Sequence, residues 1–189
     1  MKKIAIFASG SGTNAQRIAE YFKDSKHIEI NRIYSNRKQA FVLERADKLN
    51  IPTHVFNRES FYHSTEVVDL LRRDRTDLIV LAGFLWLIPH SLLSAFPNRI
   101  INVHPALLPK YGGKGMYGAK VHEAVVKSGD KKSGITIHYV NENYDEGQII
   151  SQFECDIAQN ETPETLAQKI HQLEYRHYPV IIEQILLKS

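Results

Sequence analysis

Cysteine is almost absent from this chain of 189 residues. Because Cys155 stands alone, no internal disulfide can form, which is typical of a protein from a reducing compartment. The histidines lack the paired spacing of a zinc site, so we expect no bound metal. There is no Gly-x-Ser-x-Gly motif, and Cys155 falls within a strand pattern, so we do not expect a covalent nucleophile.

Long hydrophobic runs and an excess of one charge are missing too. Only five apolar or small residues separate Lys3 from Ser9, too few for a signal peptide or a membrane span. The net charge is +3, and basic residues stand at most two in a row, as at Lys131-Lys132. A basic stripe for nucleic acid is therefore excluded, whereas small anionic ligands are not. We expect a cytoplasmic protein with small-molecule partners, no nucleic acid or membrane partner, and an oligomeric state that the sequence does not fix.

The composition is otherwise that of an ordinary globular protein, with 43% hydrophobic and 24% charged residues and no repeat or linker. Apolar runs predict strands, and the segments between them have helical spacing. The predicted strands of the first half are 3–8, 28–35, 53–56, 78–82 and 100–103. The predicted helices there are 13–22, 40–49, 64–73 and a short one after Pro89. This alternation indicates an α/β protein with a doubly wound, mostly parallel sheet.

The second half is less regular. Residues 135–140 and 148–157 predict an antiparallel pair of strands that extends the sheet, and a helix is predicted over 119–127. Thr162 and Pro163 are the cap and first residue of a last helix, which Pro179 should kink or end. We therefore predict a Rossmann-like sheet with antiparallel strands at its C-terminal half and helices on both faces.

A glycine-rich turn, Ser9-Gly-Ser-Gly-Thr-Asn14, follows the first strand. Such a turn lets backbone amides approach a phosphate, and the following helix N-terminus favours an anion. The turn also matches a dinucleotide fingerprint loosely. That reading requires an acidic residue at the end of the second strand, where Tyr34-Ser35-Asn36 stands instead. Phosphate binding is the better interpretation, and a plain tight turn is the alternative.

Asn102 and His104 mark the end of the fifth predicted strand. They are two residues apart, so both side chains point to the same side of the strand, and Pro105 prevents its continuation. An amide and an imidazolium can both donate to an oxyanion, and a nearby carboxylate favours the charged imidazole. Asp145, in a polar loop before Gly147, could supply that carboxylate. The alternatives are that the pair bonds loop backbone and that Asp145 is ordinary turn chemistry.

Four motifs give the chain a resemblance to the phosphoribosylglycinamide formyltransferases, folate-dependent enzymes of purine synthesis. The motifs are Ser9-Gly-Ser-Gly-Thr-Asn14, Leu81-Ala-Gly-Phe84, Asn102-Val-His-Pro-Ala-Leu-Leu-Pro109 and Asp145-Glu-Gly-Gln148. They occur in the family's order and at its separations. The resemblance implies one formyltransferase domain over 1–189, with a ribonucleotide-binding half at 1–100 and a catalytic and folate-binding half at 101–189.

The resemblance also implies a reaction. A formyl group passes from 10-formyltetrahydrofolate, as cosubstrate, to the glycine amine of 5-phosphoribosylglycinamide in the pathway to IMP. The implied catalytic residues are Asn102, His104 and Asp145. The implied ribonucleotide-binding residues are Gly12, Thr13, Asn14, His171 and Glu174. The implied folate-binding residues are Leu85, Trp86, Leu87, Ile88, Asn102, Asn141, Glu142, Asn143, Tyr144 and Asp145. Without the resemblance, His171 and Glu174 fit an exposed polar helix face.

The chain departs from the family pattern on the folate side. No Arg lies between Arg58 and Arg72, where members often carry one, and Trp86 replaces an Arg of many members. The sequence therefore does not identify which residues contact the glutamate tail of the folate. Formyltetrahydrofolate hydrolase and methionyl-transfer-RNA formyltransferase resemble the chain but carry further domains for which we expect no room. A non-catalytic binder of phosphate ligands is the alternative from another class.

Overall fold

The computed structural model describes residues 1–188, so Ser189, the predicted end of the domain, lies outside the described residues. Within them the strands, in chain order, are β1 (Lys2–Phe7), β2 (Ile28–Ser35), β3 (Thr53–Val55), β4 (Leu78–Leu81), β5 (Ile100–His104), β6 (Lys132–Tyr139) and β7 (Ile149–Asp156). The helices are α1 (Thr13–Phe22), α2 (Phe41–Lys48), α3 (Arg58–Tyr62), α4 (Glu66–Arg73), α5 (His90–Ala95), α6 (Ala119–Ser128) and α7 (Pro163–Leu187).

All these strands form one sheet in the order β3-β2-β1-β4-β5-β6-β7. Strands β1 to β5 pair in parallel, and β6 and β7 continue the sheet antiparallel. The chain moves outward from β1 through β3 and then returns to the other side of β1 at β4. This reversal opens a crevice at the carboxyl ends of β1 and β4, where open α/β sheets bind ligands. The predicted fold class is confirmed.

The two sides of β1 contribute to two separate cores, because alternate side chains of a strand point to opposite faces. Ile4 and Ile6 pack with buried residues of α1, α2, α6 and α7, whereas Ala5 and Phe7 pack with those of α3, α4 and α5. Helices therefore cover both faces, and the central strand β4 is apolar throughout, with all four of its residues buried.

One helix was not predicted, and another is longer than predicted. The short α3 is held by a capping box in which Asn57 and Ser60 bond each other's backbone N–H groups. The predicted helix 64–73 begins two residues later, at Glu66. Pro179 does not end α7, which continues to Leu187. Burial of Tyr178 and Ile182 on either side of the proline stabilises the helix through this point.

Candidate active site

A cavity of about 620 Å³ lies at the crevice between β1 and β4. Its walls are the turn 9–14, the loop 81–88, the end of β5, the loop 113–118, the loop 143–145 and part of α7. It therefore collects the glycine turn, the Asn102/His104 pair and the distant loop of Asp145 in one place.

The glycine turn leaves the start of α1 free to bind an anion. Gly12 precedes the helix with φ of 73°, and no side chain caps the helix N-terminus. A Cβ at Gly12 would lie 2.3 Å from Val42 Cγ2, so both the conformation and the packing against α2 require glycine. Gly12, Thr13 and Asn14 all line the cavity. The N–H groups of a first helical turn lack intrahelical partners, which suits a phosphate.

The long helix α7 brings two polar side chains to the same end of the cavity. Glu174 Oε2 accepts hydrogen bonds from Asn14 Nδ2 at 2.9 Å and from His171 Nδ1 at 3.0 Å. Glu174 is only 5% exposed, so the alternative of an exposed polar face is wrong for it. The hydrogen bond to Glu174 outweighs burial and raises the pKa of His171. A buried carboxylate with spare acceptor positions can bind ligand hydroxyl groups.

His104 is almost fully buried at the end of β5, and both its ring nitrogens have neighbours. Nε2 donates to the carbonyl oxygen of Tyr111 at 2.7 Å, and Nδ1 lies 3.4 Å from Asp145 Oδ2. Because Nε2 carries the proton for the carbonyl, attraction between Nδ1 and the carboxylate requires a second proton. The doubly protonated imidazole satisfies both neighbours.

Asp145 comes back to the strand end as the sequence analysis required. Its backbone is left-handed, with φ of 58°, and its carboxylate also accepts from the Gly113 N–H at 3.0 Å. Burial raises the pKa of the Asp145 carboxyl, but its contacts with His104, above all, and with the Gly113 N–H outweigh burial and hold that pKa well below its ordinary value. The loop can approach β6 because residue 147 is a glycine. A Cβ at this position would lie 1.6 Å from the Tyr139 carbonyl oxygen and would clash with it.

His138 joins this group and was not singled out from the sequence. It pairs directly with Asn102 across β5 and β6, and Asn102 Nδ2 lies 3.2 Å from His138 Nε2. His138 Nδ1 donates to the carbonyl of Tyr139, so Nε2 is free to accept from the amide. Asp145 Oδ1 lies 3.7 Å from the same Nε2. Antiparallel pairing of the two strands is the signal that could have identified His138, but its register is not visible in the sequence.

The opposite end of the cavity is apolar and aromatic. Leu85, Trp86, Leu87 and Ile88 line it, and two of their backbone groups are already bonded: the Leu85 N–H donates to Ser9 Oγ, and the Leu87 carbonyl accepts from Tyr62. Asn143 and Tyr144 line it from the facing loop. Asn141 and Glu142 are not among the lining residues, and the Asn141 side chain instead accepts from the Asn143 N–H.

Arg58 was passed over because α3 was not predicted. As the first residue of that helix, it places its guanidinium 4.9 Å from the centre of the Trp86 ring. This arrangement permits a cation–π interaction and puts a positive charge beside the apolar end of the cavity. The chain therefore does carry an arginine close to the position that the sequence analysis left open.

Two other features are absent from residues 1–188. No cluster of three or more His, Cys, Asp or Glu residues is placed to hold a metal ion there. In the same residues, no helix has the length and apolar character needed to cross a membrane.

Comparison with known proteins finds formyltransferases both among family models and among individual relatives. Residues 2–182 match a family model described as formyl transferase. The chain is 43% identical to the chloroplastic phosphoribosylglycinamide formyltransferase of Arabidopsis thaliana, over 97% of this chain and 65% of that protein. It is 38% identical to phosphoribosylglycinamide formyltransferase of Bacillus subtilis, over 98% of this chain and 95% of that protein. The chain thus spans less than two thirds of the plant relative's length and nearly all of the bacterial one.

The chain also has the same fold as solved structures of related proteins. A phosphoribosylglycinamide formyltransferase from Bacillus halodurans superposes with a TM-score of 0.87 at 37% identity, covering 98% of this chain and 95% of that one. Glycinamide ribonucleotide transformylase 1 from Symbiobacterium toebii superposes with a TM-score of 0.90 at 31% identity, covering 100% and 89%. The likeness therefore extends over the whole sheet and its helices.

Proposed function

The chain belongs to the phosphoribosylglycinamide formyltransferase family, and we propose that it transfers a formyl group from 10-formyltetrahydrofolate to the glycine amine of 5-phosphoribosylglycinamide, in the pathway to IMP. One observation carries the proposal. The Asp145 carboxylate lies 3.4 Å from His104 Nδ1, in the same cavity as Asn102 and the uncapped N-terminus of α1. An anion site and a group of oxyanion donors therefore lie within reach of one ligand.

The ribonucleotide is assigned to the end of the cavity at α1 and α7. Backbone N–H groups of Gly12, Thr13 and Asn14 bind its phosphate, aided by the helix dipole. Glu174 accepts from the ribose hydroxyls, and its bonds to Asn14 and His171 support this role, because they hold the carboxylate in place.

The folate is assigned to the aromatic end. The pterin lies between the stretch Leu85–Ile88 and the loop 141–145, where Asn143, Tyr144 and Asp145 face the cavity. Since the Leu85 N–H and the Leu87 carbonyl are already bonded, the remaining backbone groups and the side chains must recognise the pterin. Arg58, beside Trp86, supplies the positive charge for a carboxylate of the glutamate tail.

The reaction follows from these positions. The glycine amine attacks the formyl carbon, and the carbonyl oxygen becomes an oxyanion in a tetrahedral intermediate. Asn102 donates to it through the amide hydrogen that is not bonded to His138, and the positive charge of the adjacent His104 imidazolium stabilises it. Asp145 holds His104 and receives the proton of the attacking amine, which then passes to the folate nitrogen as its bond to the formyl carbon breaks.

We place the reaction in the cytoplasm, because the unpaired Cys155 suits a reducing compartment. The name of the Arabidopsis relative assigns that protein to the chloroplast. The cosubstrate is formyl folate, and the proposed chemistry uses no metal.

One assay tests this function against its alternatives. Tetrahydrofolate release is followed spectroscopically with formyl folate alone and with the ribonucleotide added. We expect release only when the ribonucleotide is present. Equal release in both conditions identifies a hydrolase, and ribonucleotide binding without release identifies a binding protein. Either result overturns the proposal.

A further inference from the structure

A third buried histidine lines the cavity and has no assigned role so far. His122 lies in the first turn of α6 and is 4% exposed. Its Nδ1 has no hydrogen-bond partner among the described residues. Buried polar atoms are nearly always paired, so an unpaired one in a ligand cavity indicates that its partner belongs to the ligand.

The rest of α6 does not explain a histidine at this position. Its neighbours Val121 and Val125 are fully buried and belong to the larger core. A leucine at position 122 would fit such an environment without an unpaired nitrogen. By contrast, the buried His104 and His138 each donate to a backbone carbonyl. His122 therefore differs from both in keeping an unused polar atom.

His122 lines the same cavity as His171, Glu174 and His104. Burial lowers the pKa of His122, and repulsion from His171 and His104 lowers it further, while Glu174 acts in the opposite direction. The ring is consequently neutral near pH 7, with one donor and one acceptor nitrogen. His171 and Glu174 mark the ribose end of the site, and His104 marks the reacting amine.

We propose that His122 is a ribonucleotide-binding residue whose unpaired ring nitrogen hydrogen-bonds the polar part of the substrate between the ribose and the reacting amine. This inference rests on the proposed function, since that part of the substrate is the carboxamide that joins the ribose to the glycine amine. Its N–H and carbonyl are hydrogen-bonding groups that a neutral imidazole can match. The bond fixes how far the amine projects toward His104.

Two variants of the full chain test the role. His122→Leu removes both nitrogens, and His122→Asn keeps a polar atom near the place of Nδ1. We expect the leucine variant to raise the ribonucleotide KM, and its Kd measured by calorimetry without folate, by about tenfold to a hundredfold. The KM for formyl folate should stay within about twofold. The asparagine variant should recover much of the loss.

His177→Leu is the matched control. His177 also has a pKa lowered by burial, but it stacks on Phe153 with ring centres 3.7 Å apart and does not line the cavity. This variant should change neither KM. Because the Nδ1 of His122 is unpaired, His122→Leu should also unfold at the wild-type temperature or above it.

Three results would overturn the inference. One is an unchanged ribonucleotide Kd in a folded leucine variant, and another is an equal rise in both KM values, which indicates a structural role. The third is that both His122 variants fail to fold. If the wild-type chain releases no tetrahydrofolate, the proposed function fails, whereas the calorimetric comparison still decides the role of His122.

Discussion

At the scale of single residues, Asp145 connects two strands and a loop of the site. It contacts two imidazoles and one backbone N–H, and its side chain is 11% exposed. Its charge is therefore held in a fixed position without free access to water. A charge held in this way does not have to reorganise during the reaction, which is the main source of electrostatic catalysis in enzymes.

The first prediction concerns that charge. Asp145→Asn keeps the size of the side chain but removes the proton acceptor, so we expect kcat to fall by about 10²–10⁴-fold with the fold intact. Asp130→Asn is the control, because Asp130 pairs with Lys110 and Tyr111 away from the cavity. Steady-state kinetics and circular dichroism measure both variants. Wild-type kcat in a folded Asp145→Asn variant would remove Asp145 from the mechanism.

The second prediction separates two glycines of the same turn. Gly12→Ala puts an alanine at a left-handed backbone position and its Cβ against Val42. The turn must therefore shift, and its backbone N–H groups no longer point at the phosphate. We expect the ribonucleotide KM to rise by at least about tenfold, the loss of roughly one hydrogen bond to a charged group. Gly10→Ala should be tolerated, since its Cβ would meet no atom within 4 Å. Equal KM values for the two variants would contradict phosphate binding at this turn.

At the scale of elements, α7 is the helix that joins the proposed ribonucleotide site to the sheet. Tyr178, fully buried in α7, donates to the carbonyl oxygens of Leu81 in β4 and Ile101 in β5, at 3.1 and 3.3 Å. These carbonyls belong to the strands that end at the cavity. The hydroxyl therefore fixes α7, and with it Glu174, relative to Asn102.

The third prediction removes this hydroxyl. Tyr178→Phe leaves the ring in place but loses both bonds, which should cost about 1–2 kcal/mol of unfolding free energy. Tyr175→Phe on the same helix is the control, because the Tyr175 ring packs against His171 while its hydroxyl makes no hydrogen bond within the described residues. Denaturant titration measures both. A Tyr178→Phe variant as stable as the control would show that the hydroxyl does not anchor α7.

The fourth prediction is a pH dependence within α7. The pKa of His171 is raised by its bond to Glu174, so the protonated form stabilises the folded state. This contribution is complete below the ordinary pKa of 6.5 and disappears as the pH rises through the higher folded value. Because His171 is half exposed, we expect at most about 1 kcal/mol. The stability difference between wild type and His171→Gln should shrink from pH 5.5 to about pH 8, and a constant difference would contradict this account.

The helices and strands that were predicted well are those defined by neighbouring residues in the sequence. The apolar run Leu78–Leu81 and the cap Thr162 with Pro163 define their elements without reference to the rest of the chain. The short helix α3 was missed because five residues show no period, and its only signal is the Asn57 capping box. Arg58 was overlooked for the same reason.

The features that were not predicted from the sequence are those that depend on contacts between distant parts of the chain. Pairing of Asn102 with His138 depends on the register of two strands, and the continuation of α7 past Pro179 depends on packing that no local signal reports. Approach of Asp145 to His104 was predicted only from the chemistry and the family resemblance. The structure brings these side chains together, while their roles in the reaction stay predictions.

At the scale of the whole molecule, the site joins distant parts of the chain. The proposed ribonucleotide end combines Asn14 with Glu174, and the proposed folate end combines Trp86 with Tyr144, so each end draws on residues from both 1–100 and 101–189. The division of the chain into a ribonucleotide-binding half and a catalytic and folate-binding half stays a prediction. The continuous sheet instead leads us to expect one cooperative unit of unfolding.

The fifth prediction tests that unit. A ligand that binds only the folded state stabilises it by about 2.7 kcal/mol at a concentration 100 times its Kd. For a chain of this size, such a gain raises Tm by roughly 5–10 °C. Because the proposed ribonucleotide site includes α1 near one end of the chain and α7 near the other, the whole unfolding transition should move upward as a single step. Two transitions in calorimetry, of which the ribonucleotide shifts only one, would mean that the two ends of the site belong to separately folding parts.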